Sequence, residues 1–203
     1  MEHNANQITL RGNLSAPPAF SHENHGKQFY RFYLQVPRLS GTMDILPVIA
    51  EKELLESAGT DFGEMLTVTG QVRSHNVRAD GRRHLMIFVF ASALVCEDGD
   101  AVNDALLEGF LCREPIYRRT PLGREICDVM LAVPRTFQRA DYLPCILWGR
   151  TAQDAARCHT RDKISITGRL QSRPYTKLTE NGAEERTAYE ISALSAQIFT
   201  ETA

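Results

Sequence analysis

The chain has 203 residues, 43% of them hydrophobic and 24% charged, and a formal net charge of −2. That length admits one large domain or two of about 100 residues, and the composition supplies enough apolar residues for a core. No run of about 18 apolar residues offers a transmembrane helix, and the opening MEHNANQITL has no apolar signal-peptide core, so the cytosol is the expected compartment.

In chain order, Gln7–Asn13, Lys27–Val36 and Met43–Ala50 read as strands, and Glu51–Ala58 (EKELLESA) as a helix. Glu64–Val77 and Arg83–Cys96 are strands around an Asp80-Gly81 turn. Glu97–Val102 is an acidic linker without periodicity. The plan then repeats. Ala105–Arg113 is a strand, Glu114–Arg124 a loop, and Glu125–Val133 a strand with Cys127, Val129, Leu131 and Val133 on one face. Pro134 should end it. Asp141–Trp148 is the third strand, Thr151–His159 a short helix with Ala152, Ala155 and Ala156 at helical spacing, and Lys163–Arg173 the fourth strand. An Asn181-Gly182 turn leads into a fifth strand over Arg186–Phe199, expected to bend.

The repetition is explicit in the residues. An offset of 97 aligns Leu10 with Leu107, Gly12 with Gly109, Pro18 with Pro115, Gly26 with Gly123, Val36-Pro37-Arg38 with Val133-Pro134-Arg135, and Leu46-Pro47 with Leu143-Pro144. After one inserted residue, Thr69-Gly70 meets Thr167-Gly168 and Ser74 meets Ser172. Two homologous domains follow, residues 1–99 and 103–203. Three strands, a helix and two strands is the order of the OB-fold, so the expected class is all-β, with one short helix per domain, as two tandem five-stranded Greek-key barrels. Gly109 and Gly168 suit the sharply coiled strands that barrel closure needs. A two-sheet β-sandwich is the alternative, and the helix between strands three and four argues against it.

No catalytic constellation accompanies this plan. There is no G-x-S-x-G, no H-E-x-x-H and no phosphate-cradling Gly-Lys-Ser/Thr loop, and no enzyme, cofactor or metal is expected. The five cysteines, Cys96, Cys112, Cys127, Cys145 and Cys158, form no C-x-x-C pair and read as buried reduced thiols. His22 and His25 share a loop that reads as ordinary polar surface. Asp128 and Asp141 read as structural partners of arginines.

Charge is uneven. Residues 1–101 hold nine Lys and Arg against twelve Asp and Glu, and residues 102–203 hold fourteen against thirteen. The window Gly109 to Lys177 holds thirteen against six, whereas Gly12 to Ala79 holds six against seven. Aromatics interleave with that basic window. Phe137, Tyr142, Trp148 and Tyr175 are candidate stacking platforms, and Arg135, Arg139, Arg150, Arg169, Arg173 and Lys177 candidate phosphate contacts. Strict alternation puts Tyr142, Pro144, Ile146 and Trp148 on one face of a strand. A core tryptophan beside Ile146 is the competing reading of Trp148.

These segments resemble a known family. LAVPR at Leu131–Arg135, DYLPCILWGRTA at Asp141–Ala152, GRLQSRPY at Gly168–Tyr175 and YEI at Tyr189–Ile191 are similar to the bacterial single-stranded DNA-binding proteins, with a likeness also to primosomal replication protein N. The resemblance covers about Asn103–Phe199, and more faintly Asn6–Cys96. It implies OB-folds, sequence-tolerant binding of single-stranded DNA in replication, recombination or repair, and base stacking at positions matching Tyr142, Trp148 and Tyr175, with Phe137 a looser match. It also implies assemblies of four OB-folds, hence a homodimer of this two-domain chain, and a nucleoid-associated protein of a bacterium, phage or mobile element. The chain departs from the family in lacking a flexible acidic tail after Phe199, so tail-dependent recruitment of replication proteins is not expected. It departs again in the first domain, where Ser40, Ile45, Glu51 and Val77 stand opposite Phe137, Tyr142, Trp148 and Tyr175. The aromatics Phe29, Tyr30, Phe32 and Tyr33 are expected in the core and at the interface between the two folds. The first domain is thus expected to serve as a pseudo-dimer partner. A protein-interaction module of the replication machinery with weak nucleic-acid binding is the alternative function, and RNA is an alternative ligand.

Overall fold

The structure is a computed structural model that describes residues 6–59, 63–79, 82–179 and 182–199. The Asp80-Gly81 turn, Asn181 and residues 200–203 lie outside them. Strands β1 (Asn6–Leu14), β2 (Ala19–Asn24), β3 (Lys27–Pro37) and β4 (Met43–Glu51) precede helix α1 (Lys52–Ala58), followed by β5 (Met65–Ala79) and β6 (Arg82–Cys96). The second copy runs β7 (Val102–Leu111), β8 (Ile116–Arg119), β9 (Glu125–Arg135), β10 (Arg139–Trp148), α2 (Gly149–Ala155), β11 (Lys163–Thr179) and β12 (Gly182–Phe199).

Each copy closes into a barrel of the OB type. In the first, β3-β4-β6-β5-β1 are neighbours and β1 returns to β3; in the second, β9-β10-β12-β11-β7 are neighbours and β7 returns to β9. The parallel contacts β4–β6 and β10–β12 are the Greek-key step. Alternation explains the walls: Phe32, Leu34 and Val36 point inward from β3, and Cys127, Val129, Leu131 and Val133 from β9. Leu46, Leu66, Leu143 and Leu147 fill the two interiors, each fully buried.

Glycines permit the closure. A Cβ on Gly168 would stand 2.4 Å from the Ser192 carbonyl oxygen, and one on Gly109 would stand 2.4 Å from that of Ala132. The β11–β12 register also shifts between Thr167 and Gly168, and the β5–β6 register between Thr69 and Gly70. Backbone, not a movable side chain, is what a methyl would strike. Gly168→Ala is therefore expected to cost at least about 2 kcal/mol, towards the upper part of the overpacking range, measured as a lowered urea midpoint. An unchanged midpoint would contradict this account of closure.

Several sequence expectations need correction. β2 and β8 are strands, and β8 falls within the expected Glu114–Arg124 loop. Both are exposed along their whole length, so neither shows an apolar alternation. Pro134 does not end β9, because it pairs with Ala140. There β9 has passed the end of its pairing with β7, at Ala132, so a residue without an N–H is tolerated as on an edge. β11 runs on to Thr179, well past Arg173, in a ribbon with β12. Helix α2 begins at Gly149 and ends at Ala155, and His159 lies in the following turn, its backbone N–H donating to Asp162. Cys127, Cys145 and Cys158 are buried thiols, but Cys96 is half-buried and Cys112 exposed. Burial pushes the Cys127 thiol up to about 11.

The barrels join edge to edge. β1 and β7 pair antiparallel, Asn6 opposite Leu107 and Leu10 opposite Asn103, so the two copies face each other across a local two-fold axis. Asn6 and Asn103 are buried at equivalent places. Asn6 Nδ2 donates to the Val72 carbonyl at 2.7 Å and its Oδ1 accepts from the Val72 N–H at 2.8 Å. Asn103 does the same with Leu170, at 2.7 and 2.9 Å. Each amide continues the β-ladder by one step where its strand turns away to its partner barrel.

Candidate nucleic-acid interface

The outer face of β10 carries Tyr142, Pro144, Ile146 and Trp148, while Leu143, Cys145 and Leu147 face the interior. Trp148 is therefore not a core residue: it is 38% exposed, and Tyr142 is 44% exposed. Six residues of strand hold these rings about 20 Å apart. The Trp148 indole Nε1 donates to Ser192 Oγ at 3.0 Å. That bond anchors one ring edge to β12 and leaves a face open. Trp148 is also the residue before α2, as Glu51 is before α1.

Next to β10 lies β12, and beyond it β11. Ile146 pairs with Ser192, and Ser192 with Arg169, giving one row across three strands. The Arg169 Nε is buried and has no hydrogen-bond partner among the described residues. A buried guanidinium N–H without a partner is costly, while the Arg169 residue as a whole is half-buried. Arg173 sits four residues further on and meets Glu190 at 3.5 Å. Arg139, Arg150 and Lys177 have no ion pair among the described residues. Tyr175 is 39% exposed on the β11–β12 ribbon and, with Pro144, lines a groove between the barrels. Phe137 stands apart, 92% exposed at the tip of the β9–β10 turn with φ 59°.

Arg135 is placed differently. It pairs with Asp141 at 3.4 Å, and Asp141 is the centre of a clamp between barrels. Asp141 Oδ1 accepts the Ser74 backbone N–H at 2.8 Å, the Tyr142 N–H donates to Ser74 Oγ at 2.7 Å, and Arg73 approaches Asp141 at 3.3 Å. The mirror clamp is tighter. Arg38 grips Asp44 with two bonds of 2.8 and 2.6 Å, Asp44 accepts from Ser172 N–H at 2.7 Å and Oγ at 3.1 Å, and Arg38 also donates to the Ser172 carbonyl at 2.9 Å. Its bonds to Asp44 hold Arg38 above its ordinary range, whereas burial and the neighbouring Arg135 lower Arg73, with Asp141 opposing. The VPR triplet and the Ser74/Ser172 match shared by both copies thus build the joint between them. Sequence reasoning missed that joint, although the repeated polar positions marked it.

The first barrel differs on the equivalent surface. Glu51, in the place of Trp148, pairs with Lys27 at 2.7 Å, and Ile45, in the place of Tyr142, is 45% exposed. Phe32 is core, and Tyr30 packs against the core. Phe29 is covered by His22, stacked at 4.9 Å, and by Phe90 at 5.8 Å. Tyr33 faces the groove between the barrels. Among the described residues no group of three His, Cys, Asp or Glu is arranged to hold a metal ion.

Comparison with known proteins agrees with this geometry. The model of the single-strand binding protein family matches residues 102–199, the whole second barrel. Single-stranded DNA-binding protein B of Bacillus subtilis (strain 168) is 36% identical over 80 residues, spanning 36% of this chain and 71% of that protein. The chain belongs to the single-strand binding protein family. Within this family, single-stranded DNA-binding protein 1 of Lactococcus lactis subsp. lactis is 35% identical over 81 residues, which are 54% of that protein's length. Other relatives are likewise matched over half to three-fifths of their length, such as 51% and 61% for proteins of Listeria innocua and Clostridium acetobutylicum. The fold of the whole chain matches the crystal structure of the wild-type single-stranded DNA binding protein from Thermus aquaticus, with a TM-score of 0.78, 24% identity, and coverage of 98% of this chain and 94% of that one. Both barrels and their arrangement are therefore a known tandem architecture of the OB-fold.

Proposed function

We propose that the chain binds single-stranded DNA with little sequence preference, as a non-enzymatic protein of replication, recombination or repair, and that the second barrel supplies most of the affinity. The observation that carries this reading is the outer face of β10–β12–β11. Trp148 and Tyr142 present partly exposed rings there, and Arg169 lies in the row that crosses to Ile146 between them. Aromatic platforms beside a cationic track are how OB-folds hold a strand without reading bases. The relatives are named for single-stranded DNA binding, which favours the same ligand. The first barrel acts as a pseudo-dimer partner, a homodimer of the chain would assemble four barrels, and the cytoplasm is the working compartment. No helix among the described residues is long and apolar enough to cross a membrane.

Arg139, Arg150, Arg169 and Lys177 are the cations left to meet phosphates, with Arg173 shared with Glu190 and Arg135 held in the clamp. If those four engage, log affinity falls with log salt at a slope of about −2.8. Trp148 is the sole tryptophan, so its fluorescence reports on this face alone. Titration with oligo-dT is expected to quench it. An unchanged signal together with no mobility shift at low salt would sink the proposal, and competition between matched RNA and DNA oligonucleotides measures the preference between them.

A further inference from the structure

A groove of about 560 Å³ runs between the barrels, within the size range of ligand clefts of about 300–1,000 Å³. The first barrel lines it with Arg31, Tyr33 and His84, the second with Tyr175, Arg186 and Tyr189. No Asp or Glu is among its described lining residues. Arg186 is bonded to Glu184 at 2.7 Å, whereas Arg31 is exposed without an ion pair among the described residues. The three central groups line the same groove within electrostatic reach of one another: the Tyr189 phenol is raised by burial and by Tyr33, and lowered by Arg31.

The repeat shows that this lining is not a relic of symmetry. Arg31 pairs with Ile49 across β3–β4, and Asp128 with Ile146 across β9–β10, so Arg31 and Asp128 are equivalent. By the same register Tyr33 pairs with Pro47, and Met130 with Pro144. The second barrel thus has an acid and a methionine where the first has an arginine and a tyrosine. The first barrel, which lacks the rings opposite Tyr142, Trp148 and Tyr175, carries Tyr33 and the exposed Arg31 where they face the second barrel's Tyr175.

We infer that this groove is a second binding segment for single-stranded nucleic acid, in which a strand leaving the second barrel at Tyr175 passes between the barrels, with a base against Tyr33 or Tyr189 and a phosphate on Arg31. The inference rests on the proposed function and extends it to the first barrel. The aromatic rings give sequence-tolerant stacking, and the groove's lack of carboxylates suits a polyanion. A stacked base is worth at least about a fivefold change in affinity.

The test uses the full chain with Tyr33→Ala and, separately, Arg31→Ser, which removes an exposed charge without touching a core. Binding is measured with oligo-dT of about 8 nucleotides, within the span of one OB-fold, and of about 32, the upper span of two. Trp148 quenching reports the short strand's hold on β10. Both variants are expected to keep the short-strand affinity and lose about fivefold or more on the long strand, and Arg31→Ser to shift the long-strand salt slope by about 0.7. Unchanged long-strand affinity overturns the groove path. Equal losses on both lengths also overturn it, because the residues then act through the second barrel. If the unaltered chain binds neither length, the proposed function fails and the groove with it.

Discussion

Asp44→Ala is expected to lower the unfolding free energy by about 3 kcal/mol, the lower end of what breaking a buried charge pair costs. Asp44 is 1% exposed and accepts four bonds, two from Arg38 within the first barrel and two from Ser172 across the joint. Its removal takes the acceptor from the Ser172 N–H and leaves the Arg38 guanidinium only its bond to the Ser172 carbonyl. Arg38 keeps 24% of its side chain exposed, and the water it can still reach holds the cost at the lower end. The mirror change, Asp141→Ala, should cost less, about 2 kcal/mol. Asp141 is fully buried, but its arginines stand at 3.3 and 3.4 Å, beyond good hydrogen-bond length. Urea unfolding followed by Trp148 fluorescence checks both values and their order. Losses no larger than that of Lys52→Ala, which removes an exposed pair of 3.4 Å on α1, would show that the clamps do not hold the barrels. The Asp44 clamp also fixes β11 at Ser172, next to Arg173, and the Asp141 clamp fixes β10 at the Tyr142 N–H. The first barrel thereby sets the spacing of the two strands on which the proposed interface is built.

What was legible in the sequence follows from where one face is buried. β3, β9 and β10 alternate because their inner residues fill a barrel, and the alternation gave their extent to within two residues at each end. The same alternation put Tyr142 and Trp148 on one face, although it could not say which face was solvent. β2 and β8 were illegible because both their faces meet water. The β11–β12 ribbon outran its expected end because its apolar alternation stops at Leu170, whereas its ladder continues to Thr179 opposite Gly182. The clamps were hidden for a different reason: each joins residues about 70 or 130 apart, and periodicity within a strand carries no trace of such pairs. Arg135 and Arg139 look alike in sequence, yet one is tied to Asp141 and the other is free among the described residues.

Removing the rings one at a time should separate the proposed platform from its scaffold. Trp148→Ala, Tyr142→Ala and Tyr175→Ala are each expected to weaken oligo-dT binding by about 1–3 kcal/mol, or roughly 5- to 150-fold. Tyr142 is the cleanest case. Its tie to the first barrel is through its backbone N–H, so alanine removes the ring and leaves the clamp. Trp148→Ala is less clean, because it also deprives the buried Ser192 hydroxyl of the indole donor. Trp148→Phe keeps a π face without that N–H, and should retain most of the affinity if stacking is what matters. Phe137 sits at φ 59°, where glycine is at ease, so Phe137→Gly removes the ring without straining the turn. With the ring at the tip of the turn and off the outer face of β10, its loss should be smaller than the other three. In the first barrel, Ile45→Ala at the position matching Tyr142 should leave affinity within about twofold, a difference below half a kcal/mol. Anisotropy titration of labelled oligo-dT reads all of these at one salt concentration. Equal losses at Ile45 and Tyr142 would mean that the two barrels share the strand evenly, and the division of labour drawn from Trp148 and Glu51 would be wrong.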